Sequence, residues 1–156
     1  MWQSKTLMLV LAVALAACSP EPVPINYGKD ECANCKMRIM QPKFGSELVT
    51  RKGKVYKFDA PECMVAFMLE SQRAAELEGA MQLVPDFQTE KFINAETAYY
   101  LRSEHLKSPM GMNVGAFSTK EQAESHRQSY QGELLSWQEF KEQVKKEWLS
   151  DTTENH

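Results

Sequence analysis

Histidine is scarce in this chain, with three residues in 156, and its one CxxC is accompanied by neither a second CxxC nor an HxxxH pattern. Structural zinc sites draw four ligands from patterns of that kind, so a zinc finger or zinc ribbon is a poor fit. A GxSxG elbow, a phosphate-cradling glycine loop and a carboxylate pair with a reason for separated pKa values are also missing, so no enzyme constellation stands out. No basic stripe is present, and a net charge of −3 argues against a nucleic-acid partner. Beyond the N-terminal segment, no apolar run is long enough to cross a membrane.

That N-terminal segment reads as a signal. Lys5 supplies the basic start, residues 7–17 are apolar and uncharged, and Leu15-Ala16-Ala17-Cys18 has the form of a bacterial lipobox. Cys18 is then the lipidated first residue of the mature protein, which is held on the membrane by its acyl chains and faces the periplasm. Ser19, where an aspartate would favour inner-membrane retention, favours sorting to the outer membrane. Residues 18–29 carry three prolines (Pro20, Pro22, Pro24) and read as a semi-rigid tether.

Removing Cys18 from the count leaves Cys32, Cys35 and Cys63, and an odd number of exported cysteines cannot close into disulfides. At least one is free, bound to metal, or paired between molecules. The stretch Asp30-Glu31-Cys32-Ala33-Asn34-Cys35-Lys36-Met37-Arg38-Ile39-Met40 joins two thiols and two thioethers in a polar loop. Soft sulfur donors of both kinds select Cu(I) over hard cations. A CxxC pair also serves as a redox couple or as a structural staple, and in an oxidising compartment a Cys32/Cys35 disulfide competes with metal. Met37 shifts the balance toward metal. Met40 is expected to pack beneath the loop.

A second pair of thioethers lies in Ser108-Pro109-Met110-Gly111-Met112, a loop where core burial explains methionine less well than on a helix. Met110 is the favoured donor of the two and Met112 the weaker candidate. His105 lies nearby and reads as a surface residue. Cys63 falls in the first turn of a predicted helix, beside Met64 and Val65, and reads as a buried structural cysteine.

Around these motifs the pattern predicts a hairpin from 47–50 and 54–58, turning at Lys52-Gly53. A capping box at Asp59-Ala60-Pro61-Glu62 opens a helix to about residue 78. Short strands are expected at 82–84, 91–94, 97–101, 113–117 and 133–135. Further capping boxes at Ser118 and Ser136 open helices to about 130 and 149. Val55-x-x-Phe58-Asp59-x-x-Glu62 is echoed by Val114-x-x-Phe117-Ser118-x-x-Glu121, which suggests two related strand–strand–helix units. In that arrangement the loops at 32–40 and 110–112 enter the two units at comparable positions.

The lipobox, then Cys32-x-x-Cys35-x-Met37, then a hairpin and helix, then Pro109-Met110-Gly111 leading to Ala116-Phe117, together resemble the nitrous oxide reductase accessory lipoprotein (NosL) family. The resemblance runs over most of residues 30–140. It implies an envelope copper chaperone that binds one Cu(I) and delivers it to a copper-accepting envelope protein, with nitrous oxide reductase as the implied recipient. It also implies an α+β fold of two related strand–strand–helix units, placed on this chain at about 30–80 and 81–149, to which the residues themselves add a C-terminal helix and a frayed tail at 150–156. Carried onto this chain, the metal residues are Cys32, Cys35, Met37 and Met110. Many members have glycine before the first-motif methionine, where this chain has Lys36. The competing functions are an envelope thiol–disulfide protein using Cys32 and Cys35 without metal, and a structural lipoprotein stapled by the same pair.

Overall fold

The computed structural model describes residues 20–150, so the signal segment, Cys18 and residues 151–156 lie outside the described part. One pattern is used twice. Strands β1 (Ser46–Val49) and β2 (Val55–Phe58) form the expected hairpin, turning through Gly53 at φ 82°. Helix α1 (Pro61–Leu69) follows, then a 3-10 turn (Ser71–Arg73) and the short helix α2 (Ala74–Leu77). Strand β3 (Met81–Pro85) returns antiparallel beside β1, and β4 (Phe92–Asn94) extends the sheet to the order β2-β1-β3-β4. The second half repeats this as β5 (Tyr99–Arg102), β6 (Val114–Phe117), helix α3 (Lys120–Tyr130) and β7 (Glu133–Leu135), giving the order β6-β5-β7. Helix α4 (Trp137–Val144) then runs into a wider π turn (Lys145–Leu149).

The architecture is therefore α+β with two antiparallel sheets, and the internal echo is real. β6 and α3 each begin 59 residues after β2 and α1. Each unit also has a third strand beyond the expected strand–strand–helix, and in both it pairs with the far edge of the first strand. An unpaired edge on the central strand would leave a row of backbone groups open. Because β3 and β4 join the first sheet, sheet membership changes after Asn94 and not at residue 80. The sheets meet where Phe87 N–H donates to Ala116 O at 2.8 Å and Ser118 N–H donates to Asp86 Oδ2 at 2.8 Å.

The repeat does not relate the two sulfur loops as expected. The methionine loop lies in the β5–β6 connection, the counterpart of the Gly53 turn, whereas the cysteine loop precedes β1. The predicted capping box at Asp59 is also absent. Ala60 is the N-cap and makes no side-chain bond. Tertiary partners have taken both candidate caps: Asp59 accepts from Met40 N–H at 3.4 Å, and Glu62 accepts from Ser108 Oγ at 2.7 Å. The box expected at Ser118 forms one residue later, between Thr119 and Gln122, and the one at Ser136 forms with Glu139.

Helix α1 is apolar nearly all round because it is covered on both sides, by β1 and β2 and by α4. Every residue from Pro61 to Phe67 is buried, with the Phe67 ring 5.2 Å from Phe58 and 4.8 Å from Tyr56. Large apolar side chains buried in this way contribute roughly 1.5–3 kcal/mol each. The helix stops at Leu69, short of the predicted residue 78, where the apolar run ends; α2 beyond it buries nothing. Arg102 on β5 secures the far side by a paired contact to Glu147, Nη1 to Oε1 at 2.6 Å and Nη2 to Oε2 at 2.9 Å.

Residues 23–28, within the stretch read as a tether, lie against the outer face of the first sheet. Ile25 is buried, Gly28 N–H donates to Ile39 O at 2.8 Å, and Val23 N–H donates to Glu47 Oε2 at 3.3 Å. All four β1 residues are consequently buried, Glu47 among them, and its Oε1 has no hydrogen-bond partner among the described residues. Burial pushes the Glu47 carboxyl up to about 7, against the opposing pull of Val23 N–H and Lys57. Between its ordinary value and 7 the folded protein holds a proton that the unfolded chain has lost. This group therefore favours folding at low pH, and that contribution falls as pH rises through the window. Glu47→Gln should remove this slope: its melting temperature should gain on the parent's between pH 5 and pH 8, by an amount on the order of 2 kcal/mol of stability. Parallel thermal-melt profiles across that range would contradict the assignment.

Candidate metal centre

The cysteine loop is a small hairpin of its own. Ile39 N–H donates to Asp30 O at 3.0 Å, Cys32 N–H donates to Met37 O at 2.8 Å, and Glu31 bridges Arg38. It is fastened along the open edge of β2, where Ala33 N–H donates to Lys57 O at 2.8 Å and Lys57 Nζ meets Asp30 Oδ2 at 2.7 Å. The turn at the tip closes with Lys36 N–H donating to Cys32 O at 3.0 Å, which carries Cys35 back over Cys32. Directly below, the first turn of α1 presents Cys63.

The Sγ atoms of Cys32, Cys35 and Cys63 all lie within 4.8 Å of one another, and this is the one such cluster of metal-capable side chains among the described residues. All three are free thiols. Cys32 and Cys63 are 0% exposed, whereas Cys35 is half-buried and forms the open side of the group. Their protonation is unequal. The Cys63 thiol hydrogen-bonds to Cys32 and, with the backbone N–H groups of Asp59, Cys35 and Asn34, draws the Cys32 thiol down to about 5 despite its burial. Cys63 is pushed up for the reciprocal reason, with burial adding to it. Burial also raises Cys35. A thiolate is the form of cysteine that binds metal. Of the three, Cys32 is the one whose surroundings favour the thiolate, and those of Cys35 and Cys63 oppose it.

Of the residues named from sequence, Cys32 and Cys35 come together here. Cys63 joins them as the third sulfur, although its position beside Met64 and Val65 suggested a structural cysteine. The odd cysteine count was the signal for it: one thiol was left over, and a single site uses all three. Met37 is 53% exposed, with its backbone N–H facing the Cys35 sulfur. Met40 is 60% exposed and does not pack beneath the loop; Ile39 occupies that inward place. Met110 is half-buried and packs against both core groups, one of which contains Cys32 and Cys63. Met112 is buried in the core, and His105 is exposed. Cys18 lies outside the described residues.

Lys36 occupies φ 64°, the left-handed region that favours glycine, and its Nζ donates to Ala33 O at 2.7 Å across the turn. A left-handed conformation costs a β-carbon-bearing residue about 1–2 kcal/mol, part of which a glycine returns as extra unfolded-state entropy. Lys36→Gly should therefore raise stability by about 0.5–1 kcal/mol in a denaturant melt. A destabilised variant would mean that the Nζ bond to Ala33 outweighs the backbone strain.

The geometry can be set beside known proteins. The NosL family pattern matches residues 22–145, well over half of the chain. The crystal structure of the copper chaperone NosL from Shewanella denitrificans superposes with a TM-score of 0.65 at 26% identity, covering 77% of this chain and 95% of that one. Among curated proteins no match was found. The matched span includes the cysteine loop, Cys63 and the methionine loop, and the chain belongs to the NosL family.

Proposed function

We propose that this protein is a copper chaperone of the bacterial envelope, which carries one Cu(I) as cargo at Cys32, Cys35 and Cys63 and hands it to a copper-accepting protein. The observation that carries this reading is the three sulfur atoms within 4.8 Å of one another. An all-sulfur donor set suits a soft monovalent ion and offers nothing to magnesium or calcium. Cys35, the half-buried member, stands where an ion enters and leaves, and the exposed Met37 thioether supplies an outer donor during exchange. Met110 completes the donor set from the methionine loop. The lipobox supports an acyl anchor at Cys18, with the outer membrane favoured by Ser19. The resemblance to the nitrous oxide reductase accessory lipoproteins supports that reductase as the acceptor.

The test is an anaerobic Cu(I) titration of the reduced full chain in detergent against a chromogenic chelator. One equivalent should bind tightly, and Cys63→Ser and Cys35→Ser should each weaken binding by about a hundredfold, close to 2.7 kcal/mol. Equal affinity in the parent and in a Cys32/Cys35/Cys63 triple-serine variant would overturn the reading. The closeness of the thiols also suits disulfide chemistry. Absence of copper binding together with a reversible Cys32-linked disulfide would support the thiol–disulfide alternative.

A further inference from the structure

The copper reading does not use Glu62, yet of the two carboxylates adjacent in sequence to a cluster cysteine, Glu31 and Glu62, it is Glu62 that is fully buried. It sits in the first turn of α1 next to Cys63, where a solvated acid would ordinarily serve the helix N-terminus. Instead its side chain turns to the methionine loop. Ser108 Oγ donates to Glu62 Oε1 at 2.7 Å, and Ser108 is itself buried. The backbone N–H of Met112 also faces the carboxyl group, while Oε2 has no hydrogen-bond partner among the described residues.

The loop is tied to itself at the same two ends. Asn113 N–H donates to Ser108 Oγ at 2.8 Å, Ser108 N–H donates to Asn113 Oδ1 at 3.0 Å, and Gly111 N–H donates to Ser108 O at 3.2 Å. Gly111 at φ 87° and Asn113 at φ 57° hold the tight reversal that these bonds close. Ser108 and Met112 therefore bracket Met110, and both face one buried side chain on the helix that carries Cys63. Burying a carboxyl group with one oxygen unpartnered is costly. A purely structural contact could be made by an apolar residue of similar size at lower cost.

We propose that Glu62 is a positioning residue, clamping the 108–112 loop onto the cysteine helix and so setting where the Met110 sulfur stands relative to the copper cluster. The proposal rests on the copper reading above. In Glu62→Leu the loop keeps its internal bonds but loses its tie to α1, whereas Ser108→Ala loses both that tie and the Asn113 N–H bond within the loop. Met110 then binds from a spread of positions and not from one. Groups that orient a ligand without touching the ion commonly change affinity by about 10–100-fold.

The experiment is a double-mutant cycle on the full chain in detergent, read as anaerobic Cu(I) affinity. Ser108→Ala, Glu62→Leu and Glu62→Gln are each measured with Met110 present and again in a Met110→Ile background. Ser108→Ala and Glu62→Leu should weaken binding about tenfold when Met110 is present and less than about twofold in the Met110→Ile background, the non-additivity expected of residues acting through one another. Glu62→Gln, whose amide oxygen still accepts from Ser108, should stay within about threefold of the parent. Equal losses in both backgrounds would show that Glu62 acts on Cys63 or on the fold, and would overturn the proposal, as would no loss at all. If Met110→Ile binds like the parent while the cysteine variants fail, the clamp is overturned and the copper reading stands. If the triple-serine chain still binds copper like the parent, the copper reading itself fails, and the clamp falls with it.

Discussion

A buried sulfur held by groups from three places is the constraint around which this structure is arranged. Cys32 is fully enclosed, and its sulfur faces N–H groups from its own loop and from Asp59, together with the Cys63 thiol. A thiolate formed at a buried sulfur is costly unless donors of this kind meet it. Meeting it requires the cysteine loop to lie along the β2 edge and α1 to begin directly after Asp59. The same arrangement draws Met40 N–H onto Asp59 and leaves the helix without a side-chain cap. The absent cap is thus a consequence of the site: Asp59 is engaged in closing the loop over Cys32.

The pseudo-repeat supplies the frame and an asymmetric use of it. Both units place a helix after the hairpin and return a third strand to the central one. In the first unit the hairpin turn is short and the chemistry lies in the segment before it. In the second unit the hairpin connection itself is expanded into the methionine loop. A symmetric pair of sulfur loops would have faced each other by repetition alone. In the asymmetric arrangement the methionine loop is tied to the helix that carries Cys63 by one particular contact, Glu62 with Ser108.

Much of this was legible in the sequence. The hairpin with its Gly53 turn, the helix opened at Ser136 and the repeated strand-to-helix junction rest on local signals, namely turn chemistry, capping and period, and these formed with little or no shift. The third strand of each unit shows in the sequence as a short strand at 82–84 or 133–135 with no partner indicated, because pairing is a long-range property that no local pattern encodes. The place of Cys63 in the cluster was hidden for the same reason: a cysteine in an apolar helical turn looks like core until the loop that lies over it is known. Asp59 and Glu62 have the local pattern of a capping box, and tertiary partners override it. The left-handed backbone of Lys36 is a conformation that favours glycine, and no local sequence pattern marks it at a lysine.

Copper K-edge X-ray absorption of the full chain loaded with one equivalent of Cu(I) tests the central claim most directly, because it counts and identifies the donor atoms. The account predicts a first shell made of sulfur alone, reduced by one sulfur in Cys63→Ser. A shell containing nitrogen or oxygen donors, or one unchanged by Cys63→Ser, would contradict it.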